Sequence, residues 1–383
     1  MSADWFGPVD TFLALGLSAS LFCLFCGHMG VLWHYGRRFQ PTSRTEWPPV
    51  SILKPIEGVD AETRDALGSF CRLQYPGTCE IIVGTLSEHD PVVAVVQEMQ
   101  KTYPEARIRW ICAPILGTNR KSSIMDALWR EAQGTCLLFS DADVWVEPDY
   151  AQRLVDELLK PGVGCVTCLP RSVGVRSLGG KLIALHYGCN YLPQWMLARQ
   201  TIGISWAIGH TMAVSREVLE RLGGFGGFLN HLADDYELGR RTHRLGLEVV
   251  VAPVLVDCAM PDESIAFAVR RLQRWKRTIR RARGPASVGV VLTLPVVWAT
   301  LWLIISPGSP LVWSLWTAVL ALRWLGAWAL QILVRMPDWH RIWWLLPLVD
   351  LLELWTLIGA YTGDHVWWRG QRYRLLPDGT LAR

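Results

Sequence analysis

Charge is scarce in this chain. Lysine, arginine, aspartate and glutamate make up 19% of its 383 residues, where soluble domains carry about 25%. With 51% hydrophobic residues, the composition excludes a disordered chain and a collagen-like repeat, and it points to a protein partly in a membrane. A metal-ligating cysteine set is also missing. Ten cysteines are scattered: the Cys23/Cys26 pair lies in an apolar run, where a zinc site is implausible, and the Cys165/Cys168 pair has no second CxxC or His pair nearby. Zinc needs four ligands, so these residues read as free cysteines packed as small hydrophobes in a reducing compartment, not as a disulfide scaffold. No GxGxxG follows the first predicted strand and no GxxxxGK[ST] occurs anywhere. Dinucleotide oxidoreductases and P-loop ATPases are thereby disfavoured. A net charge of +4 is too small to argue for nucleic acid.

What is present is tryptophan and long apolar runs. Of 21 tryptophans, 12 follow position 290. Residues Thr11 to Tyr35 contain no Asp, Glu, Lys or Arg, and about 20 such residues cross the hydrocarbon. No basic residue precedes the run and no small-residue cleavage site follows, which favours an anchor over a signal peptide. Arg37 and Arg38 come directly after, so the positive-inside rule predicts a cytoplasmic domain beyond them. A second membrane region covers Val288 to Ile305, Leu311 to Val334 with the single charge Arg323, and Ile342 to Tyr361, interrupted by Pro347, Asp350 and Glu353. Two carboxylates mid-bilayer are costly and usually face protein or water. Orientation cues conflict here. Alternating spans put the C-terminus outside, whereas Arg369, Arg372, Arg374 and Arg383 argue for inside. A last span that is re-entrant or broken at Pro347 reconciles them.

The intervening segment is predicted to be an α/β domain. Strands at Val50–Leu53, Glu80–Gly84, Arg107–Ile111 and Cys136–Phe139 alternate with helices near residues 61–72, 91–102 and 121–132. That alternation implies right-handed βαβ units and a mostly parallel sheet, which binds ligands beyond its C-terminal strand ends. The second strand runs out to Glu88-His89-Asp90-Pro91 and the fourth into Ser140-Asp141-Ala142-Asp143. Asp141 and Asp143, alternating at a strand end, can both turn toward Mg²⁺ or Mn²⁺ shared with a substrate diphosphate; the plainer reading is a helix cap and a turn residue. Asp234-Asp235-Tyr236 opens a helix, where one Asp suits the N-cap and the other a general base toward a hydroxyl. The glycine-dense Gly223–Phe228 before it suits a loop over a substrate. Residues 270–283 carry eight basic side chains and no acid. They suit an interfacial helix, or a diphosphate clamp through Arg271 and Arg274 one turn apart with Trp275 beside them.

The order Asp90, Asp141, Asp235 and Arg271-Leu-Gln-Arg274-Trp275 resembles the D, D, D, (Q/R)xxRW signature of membrane glycosyltransferases with a GT-A fold. Val50–Gly58, Ser69–Pro76, Asn119–Lys121, Gly209–Met212 and Trp367–Arg374 bring the resemblance to the ceramide glucosyltransferase family and its bacterial hopanoid glycosyltransferase relatives. The resemblance covers almost the whole chain. It implies a GT-A (nucleotide-diphospho-sugar transferase) domain of mostly parallel sheet, with N-terminal and C-terminal transmembrane helices. The expected segments are an anchor at 1–36, a cytoplasmic GT-A domain at 37–284 with its basic helix at 264–284, membrane helices at 285–365 and a basic tail at 366–383.

The resemblance also implies roles. Asp90 would lie in the nucleotide pocket, with Glu88 as competitor, and Lys121 would reach the nucleotide or its phosphates. Asp141 would contact sugar diphosphate and metal, with Asp143 as metal partner. Asp235 would be the catalytic base, while Arg271, Arg274 and Trp275 would hold the diphosphate. The expected reaction is inverting transfer from a UDP-sugar, with Mg²⁺ or Mn²⁺, to a hydroxyl of a membrane lipid. Ceramide leads as acceptor and a hopanoid follows. The partners are thus donor, lipid and bilayer, with no nucleic acid and no protein partner implied, in a bacterial inner membrane. A processive polysaccharide synthase would want more spans than about four. A degenerate membrane scaffold is opposed by the complete motif set.

Overall fold

The computed structural model describes residues 7–36, 44–260, 263–336, 339–368 and 370–382. Arg37, Arg38, Arg369 and Arg383, used above to orient the chain, lie outside them. The chain divides into two units. One comprises residues 1–37, 172–203 and 260–372; the other comprises 38–171, 204–259 and 373–383. This division differs from the contiguous 37–284 domain expected. Residues 172–203 and the basic helix group with the helical unit, and the tail from Tyr373 groups with the sheet unit.

The sheet unit is built on β1 (Val50–Pro55), β2 (Cys79–Thr85), β3 (Arg107–Cys112), β4 (Cys136–Ser140), β5 (Val144–Trp145), β6 (Val163–Val173), β7 (Thr211–Ser215) and β8 (Glu248–Ala259). They form one sheet in the order β3-β2-β1-β4-β7-β6-β8-β5. The four expected strands are parallel neighbours, with Ile52 beside Ile81 and Leu138. Beyond β4 the ladders turn antiparallel, at β4–β7, β6–β7 and β5–β8. β1 is buried at all six positions and β4 at all five, so neither alternates core-facing with solvent-facing residues. The helix Arg120–Glu131 covers one face through Ile124, Met125 and Leu128, which pack with Leu53, Ile82, Leu137, Phe139, Phe225 and Phe228. Gly223 and Gly224 take φ of +78° and +70°, so the glycine-dense stretch is a tight turn. Phe225 and Phe228 anchor it in the core, and a flap over substrate does not describe it.

Among the described residues of the helical unit, three helices are long and apolar enough to cross a membrane: Pro8–Tyr35, Pro310–Val334 and Trp343–Tyr361. A fourth candidate, Ile265–Thr293 with Pro295–Ile305, bends by 73°. Pro347 sits in the first turn of the helix Leu346–Tyr361, where proline's missing N–H costs nothing. The expected break there is absent. Asp350 and Glu353 face protein: Arg323 pairs with Asp350 at 2.9 Å and Lys276 with Glu353 at 2.5 Å. Asn190 donates to both carboxylates, at 3.1 and 2.6 Å, and Gln194 donates to Glu353 at 3.0 Å. His186 lies 3.5 Å from Glu353.

Candidate active site

Lys121 is the centre of the candidate site. Asn119 caps its helix by accepting from Ser122 N at 3.0 Å, and this places Lys121 in the first turn. Its Nζ lies 2.6 Å from Asp141 Oδ1 and 3.8 Å from Asp234 Oδ2. Asp141 follows the end of β4, and its N–H donates to the His210 carbonyl at 3.1 Å. Burial works against both charges. The Asp141 and Asp234 carboxylates nonetheless hold Lys121 above the usual lysine range, and Lys121 and His210 hold Asp141 below the carboxylate range.

The second carboxylate pair opens the helix Asp234–Arg244. Its N-cap is Ala233, so both aspartates lie within the first turn and neither caps. There the helix dipole favours negative charge. Asp235 accepts from Gly209 N through Oδ2 and from Tyr236 N through Oδ1, each at 2.7 Å. Burial, then the neighbouring Asp234 charge, pushes Asp235 up to about 6. Asp234 is raised too, by burial first, with Lys121 opposing. Asp234 is the more enclosed of the two, at 5% exposure.

The structure therefore brings Lys121, Asp141 and the Asp234–Asp235 pair together. Asp143 stands two residues past Asp141, its carbonyl accepting from Ala259 N at 3.0 Å. Asp90 sits at the start of the helix after β2. Its carboxylate accepts from Gly58 N at 3.0 and 3.2 Å and from Val92 N at 3.0 Å, tying down the loop that leaves β1. Glu88 is exposed.

Arg271, Arg274 and Trp275 belong to the helical unit. There Arg271 lies 3.7 Å from Glu263 and 5.2 Å over the Trp275 ring, which stacks on Tyr187 at 5.5 Å. The basic helix is less free than its charge suggests. Lys276 meets Glu353, Arg277 donates to the Gly359 carbonyl at 3.0 Å, and Arg280 and Arg281 both meet Asp364.

Sequence reasoning missed Lys54. It is fully buried in β1, donates to Ser140 Oγ at 3.4 Å and to the Asp141 carbonyl, and lies 4.0 Å over the Phe70 ring. Burial lowers it to about 7, against the pull of Asp143 and Asp141. A lysine inside an otherwise apolar strand was the available signal.

Among the described residues no three His, Cys, Asp or Glu side chains converge as a metal site. Two carboxylates remain at the β4 end. An all-oxygen pair of that kind suits Mg²⁺ or Mn²⁺, which keeps most of its shell as water and substrate phosphate.

The chain matches the family described as Glycosyl transferase family 21 over residues 11–381. It is 24% identical over 273 residues to ceramide glucosyltransferase 3 of Caenorhabditis elegans, covering 70% of this chain and 59% of that protein. It is also 24% identical over 262 residues to a beta-monoglucosyldiacylglycerol synthase of Trichormus variabilis, covering 67% and 53%. The chain thus spans between half and two thirds of the length of these relatives. Among solved structures, the mannosyltransferase PcManGT of Pyrobaculum calidifontis, in complex with GDP-Man and Mn²⁺, superposes with a TM-score of 0.56. It is 18% identical, and the match covers 90% of this chain and 98% of that one. The likeness establishes a GT-A fold.

Proposed function

Because the chain belongs to Glycosyl transferase family 21, a family of glycosyltransferases, we propose that it transfers a sugar from a UDP-sugar to the hydroxyl of a membrane lipid with inversion, and that ceramide is the acceptor. The observation carrying this reading is the Lys121 cluster: one half-buried cation between the carboxylate just past β4 and the pair that opens the next site helix.

Asp235 acts as general base. Its two backbone N–H partners fix the carboxylate plane while leaving lone pairs for an acceptor hydroxyl, and a proton affinity near 6 suits proton removal close to neutral pH. Lys121 reaches the donor's phosphates, and Asp90 steadies the loop beside the nucleotide. Asp141 and Asp143 would hold a divalent cation, as the Mn²⁺-bound mannosyltransferase suggests by analogy; when bound, it supplies positive charge to the diphosphate. Arg271, Arg274 and Trp275 keep the diphosphate-holding role that their motif implies.

Relatives bearing ceramide and diacylglycerol names make the acceptor the point to test. Purified protein with labelled UDP-glucose or UDP-N-acetylglucosamine is offered ceramide, diacylglycerol or a hopanoid polyol, and products are resolved by thin-layer chromatography. One sugar on ceramide is expected. Transfer only to another lipid reassigns the acceptor, and a product lengthening with time would mean a processive synthase.

A further inference from the structure

The Trp367–Arg374 motif has no part in the chemistry above, and the residues that follow it are placed informatively. From Tyr373 onward the chain belongs to the sheet unit. Leu375 pairs antiparallel with Leu381 and Arg374 with Ala382. The turn between them, Leu376-Pro377-Asp378-Gly379, is chemically suited to its shape. Proline presets φ, Gly379 adopts φ +87°, and Asp378 Oδ1 accepts from Thr380 N at 3.0 Å and Thr380 Oγ1 at 2.7 Å. Tyr373, Leu375 and Leu381 are all buried.

The hairpin's other edge meets the segment just before the aspartate pair. Leu381 N donates to the Asn230 carbonyl at 2.8 Å, and Leu232 N donates to the Gly379 carbonyl at 3.1 Å. His231 and Thr380 face each other between these two bonds. They form a non-hydrogen-bonded antiparallel pair, whose Cα atoms sit about 4.5 Å apart. The opposite side of the segment is held by the start of the Lys121 helix. Asn119 N donates to the Leu229 carbonyl at 2.8 Å and Asn119 Nδ2 to the His231 carbonyl at 2.7 Å; Thr118 N donates to Asn230 Oδ1 at 3.0 Å. Two residues past Leu232 the helix of Asp234 and Asp235 begins.

We propose that the hairpin of residues 373–382 is a positioning strap for the reaction. It presses segment 229–232 against the Lys121 helix, so that Asp235 stays on Gly209 N and Asp234 stays facing Lys121. No residue of the strap touches reacting atoms; it acts through the segment it pairs with, and misplacement there costs turnover more than binding. The effect on turnover rests on the sugar-transfer reading, whereas the effect on backbone protection does not.

Leu381→Pro removes the N–H that meets Asn230. Amide exchange in residues 229–236 should quicken, and kcat should fall by about 10- to 100-fold with UDP affinity unchanged. The pair His231→Cys/Thr380→Cys should form a disulfide, since about 4.5 Å falls within the permitted Cα range. In that background Leu381→Pro should lose turnover only when reduced. Should Leu381→Pro fail to fold, Asp378→Ala loosens the turn alone and should move exchange and kcat in the same direction by less. The strap is refuted if the folded proline variant keeps wild-type exchange and turnover, if the crosslinked variant turns over equally in both redox forms, or if Asp378→Ala changes neither quantity. Wild-type protein that glycosylates no lipid overturns the functional reading instead, and exchange alone then decides the strap.

Discussion

Asp234 and Asp235 share a helix turn yet differ in what they touch, and the difference motivates the separate roles proposed for them. Asp235 is oriented by two backbone donors, whereas Asp234 is enclosed against Lys121. Asp235→Asn keeps the shape but cannot accept a proton, so transfer should fall by about 10²- to 10⁴-fold while UDP still binds; full-rate transfer by this variant alongside a dead Asp234→Asn would exchange the two roles. Its raised proton affinity also carries signs. Below about pH 6 the base is protonated, so kcat should fall as pH drops through that value and level off above it, a profile that Asp235→Asn should lack. A raised carboxylate is one that the fold disfavours when ionised. That penalty is absent below the unfolded value and present above the folded one. Asp235→Asn should therefore not lower the unfolding temperature at pH 7.5, and calorimetry in detergent checks it.

The same scale shows what the sequence could tell. That Asp141 and the Asp234–Asp235 pair would meet was legible because strand ends and helix starts of a parallel sheet gather on one edge, and Lys121 joins Asp141 to Asp234 there. Lys54 was not legible, since a single lysine in an apolar run does not reveal that its Nζ turns under the next strand's end. Asp90 was legible as a motif, but its hydrogen bonds to Gly58 join segments that the sequence keeps 32 residues apart.

Among elements, β1 to β4 and their helices were readable because apolar strands and amphipathic helices alternate. The later strands were not, because antiparallel neighbours such as β4 and β7 are separated by long connections whose pairing no local pattern records. In the helical unit, the charges at Arg323, Asp350 and Glu353 looked anomalous one at a time and make sense only together. Arg323 and Asp350 are each fully enclosed. Removing one partner of such a pair leaves a buried uncompensated charge, worth about 3–5 kcal/mol. Asp350→Ala should accordingly lower the thermal midpoint sharply, and Arg323→Met/Asp350→Leu should recover most of the loss. Equal midpoints for the single and double variants would show that the pair contributes packing alone.

For the whole molecule, the C-terminal hairpin decides a question of parity. Residues 379–381 bond to 230–232 within one folded unit, so the tail and the sheet unit share one side of the bilayer. Between Ala259 and Tyr373 the chain must then cross an even number of times. Pro310–Val334 and Trp343–Tyr361 have 25 and 19 residues, near the 20 or so that a crossing needs. The bent pair is long and apolar enough only when its two arms are taken together, and counting it as a crossing would make three, an odd number that the parity excludes. We therefore expect two crossings, which return the tail to the side of the sheet unit without a re-entrant last helix. The eight basic residues at the start of this region favour the cytoplasm for that side. Single cysteines at Gly308 and Asp378, placed in a cysteine-free background, should label from the cytoplasmic face in inverted vesicles, and one at Arg341 only from the opposite face. Labelling of Gly308→Cys and Asp378→Cys from opposite faces would break the parity, and with it the two-crossing topology.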